Sequence, residues 1–156
     1  MEKLIFDSGI REFQINNNGI LRFNPGDPNV YARLMESGEK IMQVESELLA
    51  KAEATTSVDQ EENNGAAMLQ MLADADKKVK DILAWIFGVD NNFDEIFAGV
   101  NLMAVGANGE RVLTNFLSAL LPVVQEGARK CAQQQISAAT TRAKGNRAQR
   151  RAEAKK

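Results

Sequence analysis

The spacing of apolar residues changes period along the chain, and that change constrains the fold more than any single residue does. Between residues 12 and 23 the period is two: Phe13 and Ile15 alternate with Glu12 and Gln14, and Leu21 and Phe23 with Ile20 and Arg22. From residue 28 the spacing becomes three-and-four. One stripe runs Tyr31, Leu34, Met35, Ile41, Met42, Leu48, Leu49, Ala52. A second runs Met68, Leu69, Leu72, Ala75, Val79, Ile82, Leu83, Ile86, Phe87, and a third Val112, Leu113, Phe116, Leu117, Leu120, Leu121, Val124, Ala128, Cys131. The pattern predicts an α+β, mainly α fold. A β-hairpin within residues 1–25 caps a bundle of three to four helices over 28–54, 66–87, 93–98 and 109–136. A length of 156 residues with 44% hydrophobic content supports one domain, 1–136, followed by a basic tail, 137–156.

Local chemistry sharpens the boundaries. A two-residue turn at Asn18-Gly19 would put the two apolar sets on opposite faces of the hairpin. A three-residue loop, Asn17-Asn18-Gly19, pairs Ile15 with Leu21 and Phe13 with Phe23, with Gly19 in the left-handed position of a bulge. Leu4 and Phe6 are expected to add a third strand on the same face. Asp27 and Pro28 supply an N-cap and a first helical residue. Gly38 interrupts the first stripe and is expected to mark a close approach of another backbone. Residues 55–65 are polar and read as a mobile loop, whose Asp59, Glu61 and Glu62 form a solvated acidic patch. Gly88 stops the second helix. Pro122 is expected to kink or break the last helix at Leu121, opening a candidate face for self-association. Beyond Ser137 the stripe is gone, so the tail is expected to be flexible and helical at best transiently.

Composition narrows the chemistry. The chain has no histidine and one cysteine. Serine and cysteine nucleophiles activated by histidine, and histidine metal sites, are therefore excluded, as are an internal disulfide and any CxxC site. Cys131 alone, with no signal-peptide pattern near the first residue, fits a reducing cytoplasm. The apolar runs 82–89 and 117–124 fall far short of the about 20 residues needed to span a bilayer. Asp90, Asp94 and Glu95 cluster, but without the spacing of a calcium loop; a capping role for Asp90 or Asn92 accounts for them. Gly99, Gly106 and Gly109 are too scattered to cradle a phosphate. No catalytic residue, metal or cofactor is expected, and the chain reads as a non-enzyme.

The net charge of −2 conceals an asymmetry. Residues 142–156 hold seven basic residues against Glu153 alone, a net of +6, which leaves −8 on the other 141. Arg142, Lys144, Arg147, Arg150 and Arg151 are candidates for an electrostatic contact. The tail has no aromatic residue for stacking and the body is acidic, so a protein is the expected partner rather than nucleic acid or a membrane. The chain also holds six methionines, which suit an adaptable groove.

Several short segments carry a resemblance. Ile86-Phe87-Gly88, then Phe93-Asp94-Glu95-Ile96-Phe97-Ala98-Gly99, then Asn101-Leu102, a long helix, and the basic Asn146-Arg147-Ala148-Gln149-Arg150-Arg151-Ala152 together resemble small tail assembly chaperones from phages and prophages of Gram-positive bacteria. The resemblance covers roughly residues 80–156. It implies a protein of the host cytoplasm, absent from the mature virion, that binds and solubilises the tape measure protein and helps recruit tail tube subunits. On that basis Met68, Leu72, Trp85, Phe93 and Phe97 are candidates for a client groove. An alternative from another class is a phage accessory protein that inhibits or triggers a host immunity complex.

Overall fold

A computed structural model describes residues 1–56 and 61–155. It is mainly helical, with a two-stranded antiparallel hairpin ahead of the helices: β1 (Arg11–Gln14), β2 (Ile20–Phe23), α1 (Pro28–Thr56), α2 (Glu61–Phe87), α3 (Phe93–Ile96) and α4 (Val112–Ala154). The α+β, mainly α arrangement matches the change of period in the sequence. The stretch expected as a loop over 55–65 is helical at both ends. Asp59 and the side chains of Glu61 and Glu62 lie outside the described residues.

The hairpin forms with a different register from the expected one. Phe13 pairs with Leu21 and Gln14 with Ile20, a shift of two residues that keeps Phe13, Leu21 and Phe23 on one face. The three-residue loop moves back one position to 16–18, closed by the Ile15 N–H donating to the Gly19 carbonyl at 2.9 Å, with Asn16 rather than Gly19 in the left-handed conformation (φ 51°). Gly19 serves another purpose. A Cβ there would lie 2.5 Å from the Ile96 Cα, and the Gly19 N–H donates to the Ile96 carbonyl. Docking onto α3 overrides the turn geometry that the local sequence prefers. Leu4 and Phe6 add no third strand: residues 1–10 lie outside regular structure, and both side chains are exposed.

The free edge of β2 is closed by a side chain. Asn91 Oδ1 accepts from the Arg22 N–H at 2.9 Å, and Asn91 Nδ2 donates to the Arg22 carbonyl at 2.9 Å. Asn91 thus occupies the place of a neighbouring strand and ties the hairpin to the end of α2, where it also donates to the Phe87 carbonyl.

Asp27 caps α1 by accepting from the Asn29 N–H. The core is built on Val30, Val44 and Leu48 of α1, Val79, Leu83 and Ile86 of α2, and Leu113, Phe116, Leu120 and Val124 of α4, with Leu21 and Phe23 of the hairpin. Gly88, at φ 115°, ends α2 as expected, and Asn92 caps α3. No backbone approaches Gly38; a Cβ there would meet nothing within 4 Å. The close approach is at Gly127 instead, where a Cβ would collide with the Pro25 carbonyl.

Three expectations for the last helix are corrected. It begins at Val112 rather than 109, and it runs through Pro122 without interruption. Pro122 and Ser118 are both exposed, so the Ser118 carbonyl that loses its intrahelical donor faces water, which lowers the cost of the proline. The helix also does not stop near residue 136. What reads as a flexible tail is the distal half of one 43-residue helix.

Candidate functional site

Six of the seven phenylalanines form a continuous row. Centroid distances run 5.1 Å from Phe13 to Phe23, 5.0 Å to Phe87, 6.2 Å to Phe93, 6.0 Å to Phe97 and 4.9 Å to Phe116. The row crosses from the hairpin through the end of α2 and α3 to α4, and it fixes these elements against one another. At its two ends it opens onto a groove of about 560 Å³ between the hairpin and the first half of α4. Phe13 and Ile15 form one wall, Phe97 and Val100 the floor, and Val112, Phe116, Ala119 and Val123 the other wall. The remaining lining residues are Gln14, Asn16, Asn115 and Leu120, so among the described residues no charged side chain lines the groove.

A polar node beneath α3 holds the floor in place. Lys80 is buried and binds Asp76 at 2.7 Å and Asp94 at 2.8 Å. Asp76 also accepts from the Leu102 N–H at 2.7 Å, and Asn101 Nδ2 donates to the Leu72 carbonyl. These bonds pin the 97–111 connection to α2. Burial pushes the Lys80 ammonium toward a lower pKa, but the hydrogen bonds and charges of Asp76 and Asp94 outweigh it and hold the group above the ordinary lysine value. Asp94 is thus engaged with Lys80. Among the described residues, no three His, Cys, Asp or Glu side chains are grouped as metal ligands. No described helix is long and apolar enough to cross a membrane.

The five residues named as a client groove are not brought together. Phe93 and Phe97 are buried in the aromatic row, and of the two only Phe97 reaches the groove. Met68 and Leu72 are half-buried on the first half of α2. Trp85 sits on another face of that helix, under the Lys40 ammonium at 4.7 Å. Arg142, Lys144, Arg147, Arg150 and Arg151 all lie on the exposed distal half of α4 and make no ion pair among the described residues.

On the α4 wall, Val112 and Phe116 already stand in the third apolar stripe, whereas Ala119 and Val123 carry a signal in the sequence that the stripe passes over. Val112, Phe116, Ala119 and Val123 follow a four-three-four spacing of their own, one position before the core ladder Leu113, Leu117, Leu120 and Val124. Two adjacent apolar ladders make a face too wide for one neighbour to cover, and the hairpin covers only part of it. No protein-family model, characterised protein or solved structure matches the chain.

Proposed function

We propose that the chain is a phage tail assembly chaperone working in the host cytoplasm, and that it holds a helical segment of the tape measure protein in the groove between the hairpin and α4. The supporting observation is the groove itself: about 560 Å³, open to solvent, lined by aromatic and aliphatic side chains and free of charge. An amphipathic helix laying its apolar face into such a groove is a recurrent mode of recognition. The task needs an adaptable apolar surface and reversible contact rather than a reacting group, and the non-enzymatic reading follows from it. Recruitment of tail tube subunits rests on the resemblance of residues 80–156 alone.

Co-expression with a tape measure protein tests the reading. The chain raises the soluble fraction of the client. Ala119→Glu, which sets a charge on the exposed wall of the groove, removes most of that gain while leaving the variant's own thermal midpoint within a few degrees of the parent. A client equally soluble with and without the chain overturns the proposal.

A further inference from the structure

The first helix carries two apolar ladders, and only one is used in the core. Val30, Leu34, Ser37, Ile41, Val44 and Leu48 face α2 and α4. One position further on, Tyr31, Met35, Gly38, Met42, Glu45 and Leu49 repeat the same four-three spacing. This second ladder lies open: Met35 is 52% exposed, Met42 65% and Leu49 60%. Beside it, between α1 and α4, runs a groove of about 310 Å³ floored by Gly38, Ile41, Leu117 and Leu121. The missing Gly38 side chain keeps that floor open.

Charge on this face has one sign. On the open ladder and its outer flank the charged residues of α1 are Glu39, Glu45 and Glu53, by helical position. The three basic residues of α1 turn the other way: Arg33 bonds the Ile86 carbonyl, Lys40 covers Trp85, and Lys51 lines the cleft between α1 and α2.

The distal half of α4 has the complementary character. Every residue from Ala132 to Lys155 is exposed. The core ladder of α4 nevertheless continues in register through it as Ala138, Thr141, Gly145, Ala148 and Ala152. Arg142 borders this narrow seam on one side, and Lys144 and Arg151 on the other, whereas Arg147 and Arg150 point away from it. Lengths agree as well. At 1.5 Å per residue the open ladder of α1 spans about 30 Å and the exposed part of α4 about 35 Å. An isolated polar helix of this length is marginal in water, so a partner helix that it can lie against is the natural source of its stability.

We propose that the basic distal half of α4 from one copy docks along the acidic, methionine-bearing face of α1 on a second copy. Small residues of α4 receive Met35, Met42 and Leu49, while Arg142, Lys144 and Arg151 meet the glutamates. The two surfaces lie on different elements of the same chain, so two copies can exchange the contact reciprocally about a two-fold axis, and a one-way contact propagates unless its rotation closes a ring.

Sedimentation and light scattering on the full chain test this. The mean mass rises with concentration above the 17.1 kDa of one chain, and added salt lowers it. Met42→Glu, and separately the triple change R142E/K144E/R151E, each weaken association at least about tenfold. The R147E/R150E variant, altered on the far side of the helix, keeps most of it. An equimolar mixture of Met42→Glu with the triple variant forms a complex that stops at two chains, because one supplies an intact α4 and the other an intact α1 face. Several results overturn the proposal: one chain at every concentration, association indifferent to Met42→Glu, equal loss from both sets of arginine changes, or excess mass that disappears on nuclease treatment.

Discussion

Two glycines in long helices show opposite logic. Gly127 of α4 sits where a Cβ would strike the Pro25 carbonyl, so Gly127→Ala forces the turn before α1 away from α4 and destabilises the fold by about 1–3 kcal/mol. Gly38 of α1 has open space around it, and Gly38→Ala stabilises by about 0.5–1 kcal/mol through helix propensity and reduced freedom of the unfolded chain. Urea midpoints of the two variants move in opposite directions. Lys80 supplies a pH dependence. Its pKa is raised by folding, so its contribution is complete below the ordinary value of 10.5 and declines as pH climbs through the higher folded value. Lys80→Met removes that alkaline slope from the stability curve. For Glu47, held below its ordinary value by Lys78, the sign reverses: its contribution is present above pH 4.5 and fades as acid protonates it. Glu47 lies on the surface, so its acid limb is shallow.

At the scale of elements, the hairpin depends on Asn91 as much as on its own strands. Asn91→Ala leaves the Arg22 main chain without its edge partner and costs about 1–3 kcal/mol. Amide exchange at Arg22 accelerates more than at Leu21, whose N–H faces β1. The existence of each main element was legible in the period of its apolar residues, and Asp27, Gly88 and Asn92 marked boundaries by their capping chemistry. The hairpin register was not legible, because it is settled by the contact of Gly19 with Ile96, some 77 positions away in sequence. The length of α4 was misjudged for a different reason. A stripe of Leu and Val gives way to Ala, Thr and Gly, which a count of large apolar residues reads as its end, although the ladder keeps its spacing. Carbon chemical shifts of residues 138–152 take helical values.

At the scale of the whole molecule, the residues that the sequence offers for a client groove are not brought together by packing. The resemblance offers Met68, Leu72, Trp85, Phe93 and Phe97 as one client groove. Packing instead drew the phenylalanines into a row and left Trp85 on another face of α2 from Leu72. The uncharged groove arises where the second ladder of α4 meets a hairpin too short to cover it, and that depends on how the elements are placed. The valines that line it make the most direct test of the account. In a methyl-labelled sample, titration with a helical segment of a tape measure protein shifts the resonances of Val100, Val112 and Val123 together and leaves those of Val79, buried between the helices, in place. Binding that shifts methyls elsewhere and spares these three, or no binding at all, contradicts the assignment of the groove.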